Sequence, residues 1–330
     1  MSLLSQVRRE AQSLPSRVVL YAQEKFGKTS LSCHAPRPIV LMTSGETGLL
    51  SLLEAGLVPP TDHFPEDFKS WPKLTQAVRE LLNEAHEYRT LVLDTANGAE
   101  RMCAEHICEE HFDGKWPNYA SYGKGDVQAA VEWGKFLGLL DQLRTQRKMA
   151  VLFLQHARVK SFNNPSGKDW DQYRPESIDK LWALTHKWSD IILFGGFKVQ
   201  VWDDKAKADA ARYLQAQGTP AIVAGNRYGL PAEITAPPGA QNLWKAFASA
   251  LQKAKARGKP ADSPKGEAKL TAKDKPADPQ PAPAPPAEDD GPKGDAYEGP
   301  APAGGEMFPA GPADELGEFL GDPEAYRNRR

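Results

Sequence analysis

Short apolar runs alternate with amphipathic stretches along most of this chain. Residues 17–21 (RVVLY) are β-branched and aromatic, the pattern of a strand buried on both faces. Residues 39–43, 90–93 and 149–154 repeat it, and 191–194, 198–202 and 221–224 add further strands, the later ones expected to run antiparallel. Between them, Lys28 opens a short helix that Pro36 and Pro38 end. Residues 71–85 carry apolar positions at helical spacing, and helices are also predicted over about 99–110, 127–147, 180–187 and 241–254. A long polar stretch, 157–179, interrupts the alternation. The order predicts an α/β fold, a mostly parallel sheet with helices on both faces. Ligands of such sheets sit beyond the carboxyl ends of the strands.

Composition changes the picture at the far end. Residues 252–330 contain no Ile, Val, Trp or Cys, and Pro, Ala, Gly and charged residues dominate. So little apolar surface cannot offset chain entropy, so a folded domain over 1–251 and a disordered tail over 252–330 are expected. Within the tail, residues 276–286 are proline-rich and read as an extended spacer. Phe308, Leu316, Phe319 and Leu320 form an apolar cluster within 307–320. It suits a partner-binding motif that becomes helical on docking, and equally a solubilising tail with incidental apolar residues.

The net charge of -2 gives no global nucleic-acid signal, so a phosphate-binding surface has to be local. Three cysteines are an odd number for a disulfide framework and point to a reducing compartment. No secretory leader and no run of transmembrane length is legible, so a cytoplasmic protein without membrane contact is expected. Cys103, His106, Cys108 and His111 have the residue types of a zinc site, but within one helix they spread over too wide an arc for a tetrahedron.

The candidate chemistry begins after the first strand. Residues Ala22, Gln23, Glu24, Lys25, Phe26, Gly27, Lys28, Thr29 and Ser30 follow the order strand, tight loop, Gly-Lys-Thr, helix. That order brings backbone N–H groups and a cation onto a phosphate chain. Gly27 allows close approach, Lys28 suits the β- and γ-phosphates, and the Thr29 hydroxyl suits Mg²⁺. Ala22 stands where the motif has its first glycine. Asp94 closes the strand 90–93, where an acid joins the metal shell through water. Glu46, in the turn Ser44-Gly45-Glu46-Thr47-Gly48, is placed to polarise an attacking water, although a solvated turn explains it as well. Gln155 and His156 end the fourth strand, where a polar side chain can sense a γ-phosphate.

Several landmarks together carry a resemblance: YAQEKFGKTSL, the turn Glu46-Thr47-Gly48-Leu49, YRTLVLDT, SYGKGDVQAA, LFLQHARVKSF, HKWSDIILFGGFKV and NRYGLP. In this collinear order, over residues 17–231, the chain resembles the phage-associated AAA-domain P-loop nucleotide-binding proteins with a RecA-like core. That group includes the Sak-type single-strand annealing ATPases. The resemblance implies an ATP- and Mg²⁺-dependent ATPase, commonly oligomeric, acting on single-stranded DNA in recombination or replication within a bacterial host. It assigns phosphate and Mg²⁺ to Lys28 and Thr29, the metal shell to Asp94, and water activation to Glu46. The family more often has an aspartate two residues before that glutamate; here the position is Ser44.

Single strands are gripped by basic side chains along the backbone and aromatic platforms under the bases. Residues 157–179 offer Arg158, Lys160, Lys168 and Arg174 interleaved with Phe162, Trp170 and Tyr173, and Tyr122 and Lys124 lie beside two glycines. Asp169, Asp171, Glu176 and Asp179 balance the charge, which also suits an ordinary polar insertion. Arg227 suits a trans-acting contact with a neighbour's nucleotide, or a structural role in its turn. The competing function is a nucleotide-dependent interaction module that hydrolyses little and recruits replication partners through the tail.

Overall fold

The computed structural model describes residues 13–202 and 205–257, together with 4, 7 and 9. The strands are β1 (Arg17–Ala22), β2 (Pro38–Met42), β3 (Asp62–His63), β4 (Thr90–Asp94), β5 (Ala150–Phe162), β6 (Trp170–Pro175), β7 (Ile191–Trp202), β8 (Lys205–Gln215), β9 (Gly225–Asn226) and β10 (Glu233–Thr235). The helices are α1 (Lys28–Ser32), α2 (Gly48–Glu54), α3 (Trp71–Asn83), α4 (Ala96–Phe112), α5 (Trp116–Ala120), α6 (Lys124–Gln142), α7 (Asp179–Trp188) and α8 (Ala240–Arg257).

The main path of the sheet runs β10-β8-β7-β1-β5-β4-β2-β3. From β7 to β3 all pairings are parallel, and β8 and β10 extend it antiparallel. β5 stands between β1 and β4, and the sheet is mostly parallel, as the alternation of strands and helices predicts. The parallel strands are apolar throughout because alternate residues enter two different cores. Val19, Tyr21, Leu91, Leu93, Val151, Phe153, Ile192 and Phe194 face one core, with α3, α4, α6 and α7. Val18, Leu20, Val92, Leu152, Leu154, Ile191 and Leu193 face the other, with α1, α2 and α8.

At the amino edge one carboxylate gathers three arginines. Asp190, only 5% exposed, accepts from the Arg17 backbone N–H at 3.0 Å and Nη2 at 2.8 Å, from Arg144 Nη2 at 3.3 Å and from Arg227 Nη1 at 3.1 Å. Burial works against the charged form, but the Arg17 contacts outweigh it and hold the carboxyl below the usual aspartate range. The knot ties the start of β1 to the α7–β7 corner.

Several expectations need correction. The polar stretch 157–179 is not an interruption: β5 continues to Phe162, past the ends of its neighbours β1 and β4, and pairs with β6 in register from Ala157↔Pro175 to Phe162↔Trp170. Residues 191–202 form one strand with an irregularity between Phe197 and Val199. Residues 221–224 are not a strand; Ile222 makes isolated bridges to Tyr173 and Thr219. β8 and α2 were not expected, because KAKADAARYLQ lacks β-branched residues and GLLSLLE follows a turn within a short apolar run. α8 runs past Leu251 to Arg257, held by buried Ala254 and by Lys255, whose Nζ reaches the Leu14 carbonyl at 3.3 Å. The tail cluster at 307–320 lies outside the described residues.

Removing one partner from a buried ion cluster costs about 3–5 kcal/mol, since the remaining charges keep their desolvation penalty. Asp190→Ala is therefore expected to lower the urea midpoint sharply, and an unchanged midpoint would remove the knot from any role in stability.

Candidate functional site

Ala22, the last residue of β1, lies opposite His156 of β5 and Gly195 of β7. Asp94, the last of β4, lies opposite Met42 of β2 and Leu154 of β5. Register alone thus collects the candidate segments at one edge. A cavity of about 770 Å³ opens there, lined by Lys28, Thr29, Ser30, Glu46, Asp94, His156 and Arg212 among others.

The loop between β1 and α1 is held by an aromatic anchor. Phe26 is 1% exposed, sits edge-on to Phe197 at 5.8 Å, and fills the space beside Gly195, where a Cβ would lie 2.5 Å from its Cε1. Gly27 then turns with φ +92°, a conformation that side chains resist, and its carbonyl accepts the first α1 hydrogen bond from Leu31 at 2.9 Å. The N–H groups of Lys28, Thr29 and Ser30 are in the first helical turn and have no intrahelical acceptor.

Lys28 is 8% exposed and donates from Nζ to the Ala22 carbonyl at 3.2 Å; its Nζ also lies 3.5 Å from His156 Nδ1. His156 Nε2 is 3.0 Å from Glu46 Oε1. With the ammonium donating, Nδ1 accepts and Nε2–H donates to Glu46, so the ring links the cation to the carboxylate. Burial lowers the Lys28 pKa, and Asp94, Glu46 and Glu24 pull it back up. Glu46 is held below the usual glutamate range, first by the His156 hydrogen bond and against the effect of burial. Asp94 is 4% exposed and accepts from Thr29 Oγ1 at 2.7 Å. Burial pushes its carboxyl up to about 6, with the Thr29 hydroxyl acting against that rise.

The structure therefore brings Lys28, Thr29, Ser30, Glu46 and Asp94 together, with Glu24, Lys25 and Gly27 also on the wall. Ala22 contributes its carbonyl, and Gln23 turns away, its Nε2 3.3 Å from the Tyr173 hydroxyl. Gln155 does not belong to the cavity. Neighbouring side chains of a strand point to opposite faces, so His156 enters the cavity while Gln155 is buried on the other face. There its Nε2 lies 3.4 Å from Glu100 Oε1. Glu100 also accepts from Ser177 Oγ at 2.7 Å and Ile178 N–H at 2.9 Å, and burial pushes its carboxyl up to about 8.

The residues considered for nucleic acid divide. Tyr122 is 95% exposed, at φ +52°, with Lys124 Nζ 6.0 Å from its ring. Arg158 and Lys160 both bind Asp179, at 3.1 and 2.9 Å. The neighbouring Lys180 donates to the Gly123 carbonyl at 3.1 Å, so both stretches meet at the start of α7. Phe162 stacks on Trp170 at 4.7 Å, and Tyr173 is not an open platform because it stacks on Phe194 at 5.1 Å. Lys168 lies exposed in the hairpin loop, and Arg174 lines a separate hollow with Trp182 and His186. Arg227 is at the opposite edge from the cavity of its own chain, paired with Asp190 and donating to the Lys187 carbonyl.

Sequence reasoning missed Arg212, which approaches from β8, a strand without a readable pattern. It also missed the pairing of Phe26 with Gly195, for which two glycines in a row in FGGF were the available signal.

The family model described as an AAA domain matches residues 14–228. Among solved structures, a RadB recombinase is similar over 69% of this chain and 90% of its own, with 13% identity and a TM-score of 0.41. No curated protein matches the chain. Among the described residues, no helix is long and apolar enough to cross a membrane.

Two outcomes follow from this geometry. A methyl on Gly195 collides with Phe26, and overpacking of this kind costs about 1–3 kcal/mol. Gly195→Ala is expected to lower the denaturant midpoint accordingly, while an unperturbed protein would show that the loop seat is soft. Glu100 titrates in the fold near 8 and ordinarily near 4.5, so its protonated form favours the fold. Its contribution is complete below the ordinary value and fades as pH rises toward 8. Melting curves from pH 4.5 to 8 should show this decline, and Glu100→Gln should flatten it; parallel curves would refute the assignment.

Proposed function

The chain belongs to the AAA domain family, and from that premise we propose that it binds and hydrolyses ATP and acts on single-stranded DNA, in the setting of phage recombination or replication. The observation that carries the reading is the convergence of Lys28, Thr29, Asp94 and Glu46 on one cavity at the carboxyl edge of a RecA-like sheet. Its donors fit a hard divalent cation: the Thr29 hydroxyl and the buried Asp94 carboxylate already lie 2.7 Å apart. Mg²⁺, when bound, supplies charge against the phosphates, and Thr29 and Asp94 would hold it.

The remaining chemistry falls to the chain itself. Lys28 exchanges the Ala22 carbonyl for phosphate oxygens, and the first-turn amides of α1 complete the cradle. Glu46, ionised and oriented by His156, positions the attacking water and accepts its proton. Because His156 also faces Lys28, a change in the lysine's partner is felt at the glutamate. For the nucleic acid, exposed Tyr122 with Lys124 offers a base platform and a phosphate contact, and the β5–β6 hairpin adds Arg158, Lys160, Phe162 and Lys168. A nucleotide cavity of this kind commonly lies between subunits, so a homo-oligomer is part of the proposal.

A second reading, a nucleotide-dependent interaction module with little turnover, draws on Ser44 standing where the related proteins more often have aspartate.

ATP turnover with and without single-stranded DNA decides between them. Native protein is expected to be stimulated by DNA, and Lys28→Ala to lose ATP binding. Glu46→Gln should keep binding and lose turnover about 100-fold or more, the lower range for a lost general base. Full turnover in Glu46→Gln would remove the glutamate from the chemistry; ATP binding without turnover or DNA retention would favour the module.

A further inference from the structure

Arg212 has no place in the scheme above, yet it reaches the phosphate loop from a different part of the sheet. It lies opposite Phe197 in the β7–β8 pairing, and its Cζ is 5.6 Å from the Phe197 ring centre and 5.8 Å from that of Phe26. Its Nη1 would lie 2.7 Å from a Cβ on Gly27, so the guanidinium occupies the space above the glycine itself. It lines the same cavity as Lys28 and Thr29. A guanidinium held against aromatic faces keeps its in-plane N–H donors available, and their fork matches two oxygens of one phosphate.

Resting on the ATP reading given above, we propose that Arg212 is a second phosphate-binding cation of the same subunit, whose contact strengthens with the number of phosphates on the nucleotide. Lys28 comes from the loop and is a flexible point charge, whereas Arg212 comes from β8 and is fixed by Phe26 and Phe197. The same Phe26 that seats the loop on Gly195 also carries the arginine, so loop and cation keep their spacing. The outcome is discrimination by phosphate charge, which a contact to the base would not give.

The test is titration calorimetry of the full chain with ATP, ADP and AMP in the presence of Mg²⁺, for native protein and for Arg212→Ala, Arg212→Lys and Phe197→Leu. Arg212→Ala is expected to lose ATP affinity tenfold or more, ADP affinity less, and AMP affinity twofold or less. Arg212→Lys should recover part of the ATP loss, because it restores charge without the fork. Phe197→Leu keeps the charge but removes one platform, and should show a smaller loss with the same ranking of nucleotides. Equal losses for all three nucleotides, or ATP binding unchanged in Arg212→Ala, would overturn the proposal while leaving the ATP reading standing. A native chain that binds ATP no better than Lys28→Ala would overturn both. Melting of the ligand-free variants separates the two causes: a collapsed midpoint with uniform affinity loss assigns Arg212 to structure and counts against the proposal.

Discussion

Helices packed on both faces of the sheet leave residues 18–22 of β1, 90–94 of β4, 151–155 of β5 and 191–196 of β7 no wet surface. Val18 through Ala22 are all buried, and so are Leu91 through Asp94 and Val151 through Gln155. Polar side chains can then be accommodated only where a strand runs out, and parallel register makes those endings coincide. Asp94, His156 and the phosphate loop are neighbours for that reason, although more than sixty residues separate each from the next in the chain. The same constraint explains the opposite edge, where Asp190 and its arginines close the amino ends.

How much of this was readable follows from what each signal depends on. The apolar strands and the Gly-Lys-Thr turn are local patterns, and β1, β2, β4 and β5 with α1 stand within a residue or two of their predicted starts. Asp94 was readable because it ends such a run. Which face a strand-end residue presents is set by register, which is why Gln155 and His156 looked equivalent and are not. The β5–β6 hairpin was hidden because its polar sequence carries no apolar alternation; pairing with β6, not burial, extends the strand. Arg212 was out of reach altogether, since only a tertiary pairing, β8 on β7, brings it to the loop.

β5 emerges as the strand that serves both sides. His156 touches the charged groups of the cavity, and the adjoining Gln155 touches Glu100, which holds Ser177 and Ile178 at the root of the hairpin. Asp179, one residue further, holds Arg158 and Lys160. The contacts form an unbroken physical chain from Lys28 to the basic residues of the hairpin. A contiguous chain is the kind of element through which two sites influence one another, provided it has two arrangements to move between.

The ring of Phe26 has a further consequence. A phosphate-binding loop that hung free would have to be ordered at each encounter, and part of the interaction with a ligand would be lost to that ordering. Here the middle of the loop is wedged beside Gly195 and against Phe197 when the chain folds. The entropy of shaping the loop is thus settled during folding and is absent from the binding equilibrium. The contact that Lys28 has to give up on capture is a side-chain one, to the Ala22 carbonyl, and exchanging it does not require the loop to be remodelled.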